Sequence, residues 1–339
     1  MLGRVRLWAA IGRGVGLLPD RAAHGLVVRE LNTWIRLEFL GVIARTGVAD
    51  ALHEPRSLGE IAEKTRISDV DLLGALLDLG VALREVRERR GRYSIRGRRL
   101  RAIADRSPDL RGMVEELIVY DNPIYTALES HLRGARPRPY DADHGAVIAA
   151  ASRLAEPLLG PTLRTLAAEL RPGTVLDIGC GSGIYLRHIL DTARDASGVG
   201  IDLDAEAVAQ AEDNLVELRL EGRCRVEQGN IEARARALGE FDLALLLNNV
   251  YYWAPTERVE ILKTLRQCVA PAGTLVVATA LPDGQAFNRH LDMILRVTQN
   301  SHRLPTRDEL RDDLRHAGFE HITLTEPIPR SGLAVAIAR

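Results

Sequence analysis

Thr174-Val-Leu-Asp-Ile-Gly-Cys-Gly-Ser-Gly183 is the stretch from which the rest of this chain is read. The run Thr174 to Ile178 is short and apolar, the pattern of a buried parallel strand. Three glycines at alternate positions, Gly179, Gly181 and Gly183, end it. Ser182 is placed to cap a helix running on through Tyr185, Leu186 and Ile189. Glycine lets the backbone turn sharply and lets a ligand reach the main chain without meeting a Cβ. A helix start adds unpaired N–H groups and a positive dipole end. The pattern predicts a small-molecule site at this elbow.

The class of ligand follows from what surrounds the glycines. A dinucleotide fingerprint is G-x-G-x-x-G, whereas here the glycines fall G-x-G-x-G and Ile184 stands where the last would be. A phosphate-binding loop needs Gly-Lys-Ser/Thr, but the only lysines in the chain are Lys64 and Lys263. Asp177 lies two positions before the first glycine, and a second strand, Gly198 to Ile201, ends in Asp202. A carboxylate there can accept hydrogen bonds from both hydroxyls of a ribose. The pocket suits an adenosine-type ligand with an amino-acid tail better than one with a pyrophosphate.

Val-Leu-Asp-Ile-Gly-Cys-Gly-Ser-Gly followed by Gly-Ile-Asp-Leu-Asp resembles motif I and the acidic loop of class I S-adenosylmethionine-dependent methyltransferases. The resemblance implies that Asp177, Gly179, Gly181 and Gly183 lie against the methionine portion of that cofactor. It implies that Asp202 binds the ribose and Leu203 packs on the adenine. Asn230 and Ile231 fall where the family places an acid and an apolar residue beside the adenine. Asn248 follows the fourth strand, bordering the point of methyl transfer.

Beyond Gly173 the sequence alternates strand and helix, which implies a parallel sheet with crossover helices. The expected strands are 174–178, 198–202, 223–228, 241–247, 274–280, 321–326 and 333–338. The last two are joined by Pro327-Ile-Pro-Arg-Ser-Gly332, short enough for an antiparallel hairpin. This reads as an α/β, Rossmann-like, seven-stranded domain over 151–339.

Upstream, apolar residues recur every three to four positions from Ala22 to Arg45, predicting a helix buried on one broad face. Ser57-Leu-Gly-Glu60 is a capping box, and Asp69 caps a second helix carrying Leu72, Leu73, Leu76 and Leu77. Strands over Ala82–Val86 and Tyr93–Ile95 around Arg90-Gly91 complete a helix, helix, hairpin order, the winged-helix pattern. A mainly helical, winged-helix-like domain is therefore expected over 1–105, with a helical linker and lid over 106–150. Within the linker, a helix is expected from Asp109 to Leu132, and Ala135 to Gly145 has turn chemistry throughout. A further helix, Ala146 to Leu170, leads into the glycine elbow.

At 339 residues with a formal charge of −1 and 46% hydrophobic residues, the composition is that of an ordinary globular protein. No global excess of base points to a polyanion. Locally, Arg84 to Arg101 holds nine arginines and two glutamates, a charge of +7, which would suit a phosphate-gripping wing. Set against that, the chain has 43 arginines and two lysines, so arginine runs are a compositional habit. A winged-helix-like domain before a class I domain is similar to the small-molecule O-methyltransferases of plants and bacteria. There it forms the dimer interface, so the resemblance implies a homodimer rather than nucleic-acid binding, and a small-molecule acceptor. A DNA-binding regulator with a ligand-sensing domain is the alternative, as is an enzyme that holds the same cofactor without methylating.

Cys180, Cys224 and Cys268 are widely spaced with no C-x-x-C, so no disulfide framework or zinc site is indicated, and a reducing cytoplasm is expected. Arg4, Arg6 and Arg13 interrupt the apolar residues of Met1 to Leu18, which reads as an amphipathic helix rather than a signal or membrane span.

The O-methyltransferases it resembles carry His-Asp-Trp after the fourth strand, the histidine acting as base. Here the stretch is Asn249-Val-Tyr-Tyr-Trp253, with Tyr251 in the histidine's place and no histidine between His188 and His290. A tyrosine hydroxyl, with an ordinary pKa near ~10, is a poor base at neutral pH. Tyr251 and Tyr252 are candidates to orient the acceptor. His290, near Phe287 and Asn288, and His144, in the proline-rich loop, are candidate bases. Asp121-Asn-Pro-Ile-Tyr125 interrupts the linker helix and is a candidate lining of the acceptor cavity.

Overall fold

The computed structural model describes residues 21–105, 108–138, 155–283 and 285–339, and the chain divides into two units, Met1–Ile118 and Val119–Arg339. Residues 1–18, His144, most of the 135–145 turn segment and the first part of the helix expected from Ala146 lie outside the described residues.

In the first unit α1 (Arg21–Arg45), α2 (Val48–Ala51), α3 (Leu58–Thr65), α4 (Val70–Ala82), α5 (Arg98–Ala104) and α6 (Pro108–Glu115) accompany a small antiparallel sheet. Its strands are β1 (Arg56–Ser57), β2 (Val86–Arg89) and β3 (Arg92–Ile95), in the order β1-β3-β2. The capping box forms as expected: the Ser57 hydroxyl accepts from the Glu60 N–H, and the Glu60 carboxylate accepts from the Ser57 N–H at 2.6 Å. Asp69 caps α4 by accepting from the Leu72 N–H at 2.9 Å. The core gathers Phe39, Ile43, Leu52, Ile61, Leu73, Leu77, Leu100 and Ile103. Helix, helix, hairpin is thus the order observed, with one shift. The strand expected from Ala82 begins at Val86, because Ala82 still closes α4 and Arg84, at φ 61°, turns the chain. Leu72, expected among the apolar residues of α4, is exposed.

Part of the arginine-rich segment has partners within this unit. Glu85, buried, pairs with Arg36 and Arg99 and accepts from the Leu100 N–H, while Arg92 pairs with Glu60. Helix α1 departs from expectation. Phe39, Leu40 and Ile43 near its end are buried, but Leu26, Val27, Leu31 and Trp34 in its first half are exposed.

The single helix expected from Asp109 to Leu132 is three pieces: α6, a π-helical turn at Glu116–Asp121, and α7 (Asn122–Leu132), which has Pro123 in its first turn. Proline lacks the N–H that would continue the preceding ladder, so the register changes there. After α8 (Glu156–Leu170) the chain alternates β4 (Thr174–Ile178), α9 (Ile184–Thr192), β5 (Ser197–Asp202), α10 (Ala205–Glu217), β6 (Cys224–Gln228), α11 (Ile231–Leu238) and β7 (Phe241–Leu247). It continues with α12 (Arg258–Cys268), β8 (Val269–Ala280), α13 (Ala286–Val297), α14 (Arg307–His316), β9 (Ile322–Thr325) and β10 (Leu333–Ala338). The sheet order is β6-β5-β4-β7-β8-β10-β9, parallel from β6 through β8, with β10 antiparallel to both of its neighbours.

Successive side chains on a strand point to opposite faces, and each face here has its own core. Val175, Leu243, Leu245 and Val276 pack with Leu163 of α8, Ile189 of α9 and Ala211 of α10. Leu176, Ala244, Leu246 and Val277 pack with Ala235 of α11, Leu262 of α12 and Leu314 of α14. The strand expected at Thr274 starts five residues earlier, at Val269, because Val269 pairs with Phe241 before an irregularity restores register at Leu243 and Thr274. No helix among the described residues is long and apolar enough to cross a membrane.

Candidate functional site

In an open parallel sheet, ligands collect at the carboxyl ends of the strands where the order reverses, here beyond β4, β5 and β7. The elbow after β4 is tied to the end of β5: Gly179 and Cys180 donate their N–H groups to the Ile201 carbonyl at 2.7 and 3.1 Å. Gly179, Gly181 and Gly183 have φ of 65°, 50° and 72°, a backbone region where a Cβ is strained. A Cβ on Gly181 would meet nothing within 4 Å among the described residues, so the main chain is bare of them there. A Cβ on Gly179 would instead lie 2.2 Å from the Asn249 amide nitrogen. The helix after the elbow starts differently from expectation. Gly183, in the left-handed conformation, is its N-cap, and no side chain caps it, so Ser182 does not. The Ser182 carbonyl accepts from the Asn214 amide at 2.9 Å, which fixes the loop against α10.

Asp202 turns towards the elbow. Its Oδ2 accepts from the Gly181 N–H at 2.8 Å and its Oδ1 from the Asp204 N–H at 3.0 Å. Each oxygen keeps acceptor capacity beyond that one bond. Asp177 is 1% exposed, and its Oδ2 has no hydrogen-bond partner among the described residues. Burial first, and then the neighbouring Asp202 charge, hold the Asp177 carboxyl well above the ordinary carboxylate range. Around the elbow, two further buried polar atoms lack hydrogen-bond partners among the described residues: the Asn249 Oδ1 and the Tyr185 hydroxyl. Burial and the Asp177 charge push the Tyr185 hydroxyl and the Cys180 thiol upwards, and the Cys224 thiol to about 11, so none is an activated nucleophile.

The orphaned atoms define what fits. A buried acceptor without a donor costs about 1–3 kcal/mol, more when charged. Two acceptor oxygens, a hydroxyl and a pair of carboxylates at one strand edge call for a ligand bringing N–H donors and positive charge. An amino-acid ammonium beside a sulfonium meets both requirements, and Asp202 remains for hydroxyl groups.

The other sequence candidates are distributed as follows. Leu203 is 69% exposed at the rim, with its carbonyl accepting from Gln228. Asn230 caps α11: its Oδ1 accepts from the Glu232 N–H at 2.8 Å and its amide donates to the Glu232 carboxylate. Ile231 is buried in the core. Asn248 adopts φ 58°, which asparagine tolerates, and donates its N–H to the Ala278 carbonyl at 2.7 Å, joining the ends of β7 and β8. Asn249, not singled out from the sequence, is the buried residue that reaches under the elbow, donating to the Ile178 carbonyl. Its signal was the Asn-Asn pair closing an apolar strand.

Tyr251 and Tyr252 lie in a short 3₁₀ turn with ring centroids 5.0 Å apart. Tyr251 belongs to the hydrophobic core, whereas Tyr252 is 38% exposed. His290 on α13 bonds through Nε2 to the Asp121 Oδ2 at 2.8 Å and through Nδ1 to the Tyr125 hydroxyl at 2.9 Å. The structure thus joins two features that the sequence offered separately, the α13 histidine and the 121–125 segment.

Residues 175–273 match the family described as "Methyltransferase domain". The phenazine O-methyltransferase of Lysobacter antibioticus is 32% identical over 171 residues, 49% of this chain and 48% of that protein. This chain therefore spans about half the length of that relative. The O-demethylpuromycin-O-methyltransferase of Streptomyces alboniger is 25% identical over 319 residues, 87% of this chain and 83% of that one. Among solved structures, human N-acetylserotonin methyltransferase in complex with SAM superposes with a TM-score of 0.76 at 19% identity, covering 95% of this chain and 99% of that one. An O-methyltransferase family protein from Burkholderia thailandensis gives a TM-score of 0.75 at 19% identity, covering 95% and 98%. At such identities these structures establish the fold.

Proposed function

We propose that this chain, whose Val119–Arg339 unit carries a class I methyltransferase domain, uses S-adenosylmethionine to methylate a small-molecule acceptor, at oxygen. The observation that carries this reading is the set of buried, unpartnered oxygens of Asp177 and Asn249 beside a bare glycine elbow, with the Asp202 carboxylate opposite. The phenazine and puromycin enzymes, O-methyltransferases by name, support oxygen as the atom modified.

In this reading Gly179, Gly181 and Gly183 admit the ligand to the main chain, and Asp177 and Asn249 receive the N–H donors of its amino-acid end. Asp202 accepts from the ribose, and Leu203 and Ile231 border the adenine. Asn230, already engaged in capping α11, shapes that end of the site rather than reading the base. Asn248 borders the transfer point. The cofactor supplies a methyl group already activated by positive sulfur. The protein's task is then to hold the acceptor in line at about 3–3.5 Å, and Tyr252, partly exposed, is placed to stack on it.

The first unit serves as a homodimer surface in this account, supported by the bare apolar residues Leu26, Val27, Leu31 and Trp34 of α1. Pairing of Arg92 and Arg99 with Glu60 and Glu85 supports a structural use of those arginines rather than a grip on phosphate. Three buried free thiols fit the reducing cytoplasm. Isothermal titration with S-adenosylhomocysteine tests the reading. Saturable binding is expected, and no heat at millimolar ligand would overturn it.

A further inference from the structure

We infer that His290, held between Asp121 and Tyr125, takes up the acceptor's proton, a task the residues after β7 are not equipped to perform. The inference rests on the proposed methyl transfer and adds the missing base. Three observations carry it.

Placement comes first. Asn288, buried and two residues before His290, donates its amide to the carbonyls of Leu281 at 2.9 Å and Gly332 at 3.1 Å. These bonds fasten the start of α13 to the carboxyl end of β8. Because the Asn248 N–H is bonded to Ala278 of β8, this is the same sheet edge that holds the glycine elbow.

Geometry comes second. An ionised Asp121 can only accept, so the 2.8 Å contact assigns the ring proton to Nε2 and leaves Nδ1 as the acceptor. The Tyr125 hydroxyl then donates to Nδ1 at 2.9 Å, with the two rings stacked at 5.6 Å. The three groups are graded outward: the Asp121 side chain is 7% exposed, that of His290 17%, and Tyr125 49%. This is the order of a proton relay, with a buried orienting carboxylate, an imidazole and a hydroxyl open to a ligand. Phe287, exposed and 6.2 Å from the His290 ring, adds an aromatic surface next to the open end.

The third observation is the π-helical turn Glu116–Asp121, which ends on Asp121 itself. Such turns are rare, strain the helix and concentrate at functional sites. Among the described residues, the ionisable groups bonded to the ring are Asp121 from this turn and Tyr125 from α7. On α13 itself, Arg289 is exposed and Asp292 is engaged by Arg296 and the Leu304 N–H.

In the step, the acceptor's O–H breaks and its proton passes to the Tyr125 oxygen as the Tyr125 proton passes to Nδ1. The freed oxygen pair forms the new bond to the methyl carbon, and the pair of the broken carbon–sulfur bond stays on sulfur. Asp121 steadies the resulting imidazolium, so His290 and Tyr125 handle the proton and Asp121 is a positioning residue.

The test uses the full chain with a series of phenols from nitrophenol, far the more readily ionised, to methoxyphenol, which stays protonated at neutral pH. S-adenosylhomocysteine affinity is measured in parallel as a readout independent of turnover. His290→Gln is expected to bind S-adenosylhomocysteine like the parent, to lose about 10²–10⁴-fold in kcat on methoxyphenol, and to lose much less on nitrophenol. The fall in parental kcat towards acid should vanish in this variant. Tyr125→Phe, which keeps the ring, and Asp121→Asn should shift kcat in the same direction, and they serve if His290→Gln folds poorly. Unchanged kcat and an unchanged acid limb in folded variants would overturn the relay while leaving methyl transfer intact. Absence of S-adenosylhomocysteine binding by the parent would instead remove the functional reading beneath it. Binding of S-adenosylhomocysteine without turnover of any phenol would overturn the relay and the hydroxyl acceptor together.

Discussion

Asp177 is the carboxyl that the proposed function assigns to the ligand's amino-acid end. It is a carboxyl almost wholly removed from water, with one oxygen unpartnered and Asp202 as a like-charged neighbour. A carboxyl whose folded pKa lies above its unfolded one binds its proton more tightly in the native state. Its favourable contribution is therefore present at low pH and is lost as pH rises from its ordinary value, about 4, through the raised one. A cation bound beside it reverses that trend. Asp177→Asn removes the charge and keeps the shape, so the free protein is expected to melt about 2–4 °C higher at neutral pH. S-adenosylhomocysteine should bind the variant more weakly, and should lose the rise in affinity with pH that the parent shows through the Asp177 titration. Thermal melts with and without ligand at several pH values check both. A variant that melts unchanged and binds equally well would take Asp177 out of the site. At this scale the carboxylates and glycines are singled out in the sequence by their spacing alone. Asn249 is not, since its position under Gly179 depends on how β7 lies beside β4.

Among the elements, three strands begin and end where composition placed them, Thr174–Ile178, Phe241–Leu247 and Leu333–Ala338, because apolar runs bounded by turn residues leave little choice. What escaped was geometry set by neighbours. Gly183 rather than Ser182 starts α9, since a left-handed glycine there directs the chain before any side chain can cap it. The π-helical turn before Pro123 is invisible to a 3.6-residue period, which predicts one helix throughout. The elbow is tied to the end of β5 by two backbone hydrogen bonds, and its tolerance can be tested. Gly179→Ala puts a methyl group 2.2 Å from the Asn249 amide at a φ of 65°, so the loop or Asn249 must shift. We expect a loss of about 1–3 kcal/mol in stability, read by urea unfolding, together with weakened S-adenosylhomocysteine binding. Stability and binding equal to the parent's would show that this contact does not constrain the site.

For the whole molecule, the apolar stripe of α1 is the clearest case of a pattern read correctly and placed wrongly. Its periodicity is that of a buried face, yet Val27, Leu31 and Trp34 are exposed in the single chain. Sequence shows that a face is apolar and is silent on which molecule covers it. If a second copy does so, replacing Leu31 and Trp34 together with glutamate should turn a dimer into a monomer in sedimentation. The carboxylates would be desolvated at the contact without partners. A parent that sediments as a monomer, or a variant that stays dimeric, would assign that face to something else. The doubly covered sheet, by contrast, was legible from short apolar runs alternating with helices, because helices of the same chain pack on both faces of its central strands.

In the proposed function, the carboxylate at the end of β5 grips the ribose while the glycine elbow admits the rest of the ligand. S-adenosylhomocysteine titrated calorimetrically into Asp202→Ala measures this directly. Hydrogen bonds to a charged acceptor contribute about 1.5–3 kcal/mol, so affinity is expected to fall roughly 10–100-fold below the parent's. Equal affinity in a variant that folds as the parent does would contradict it.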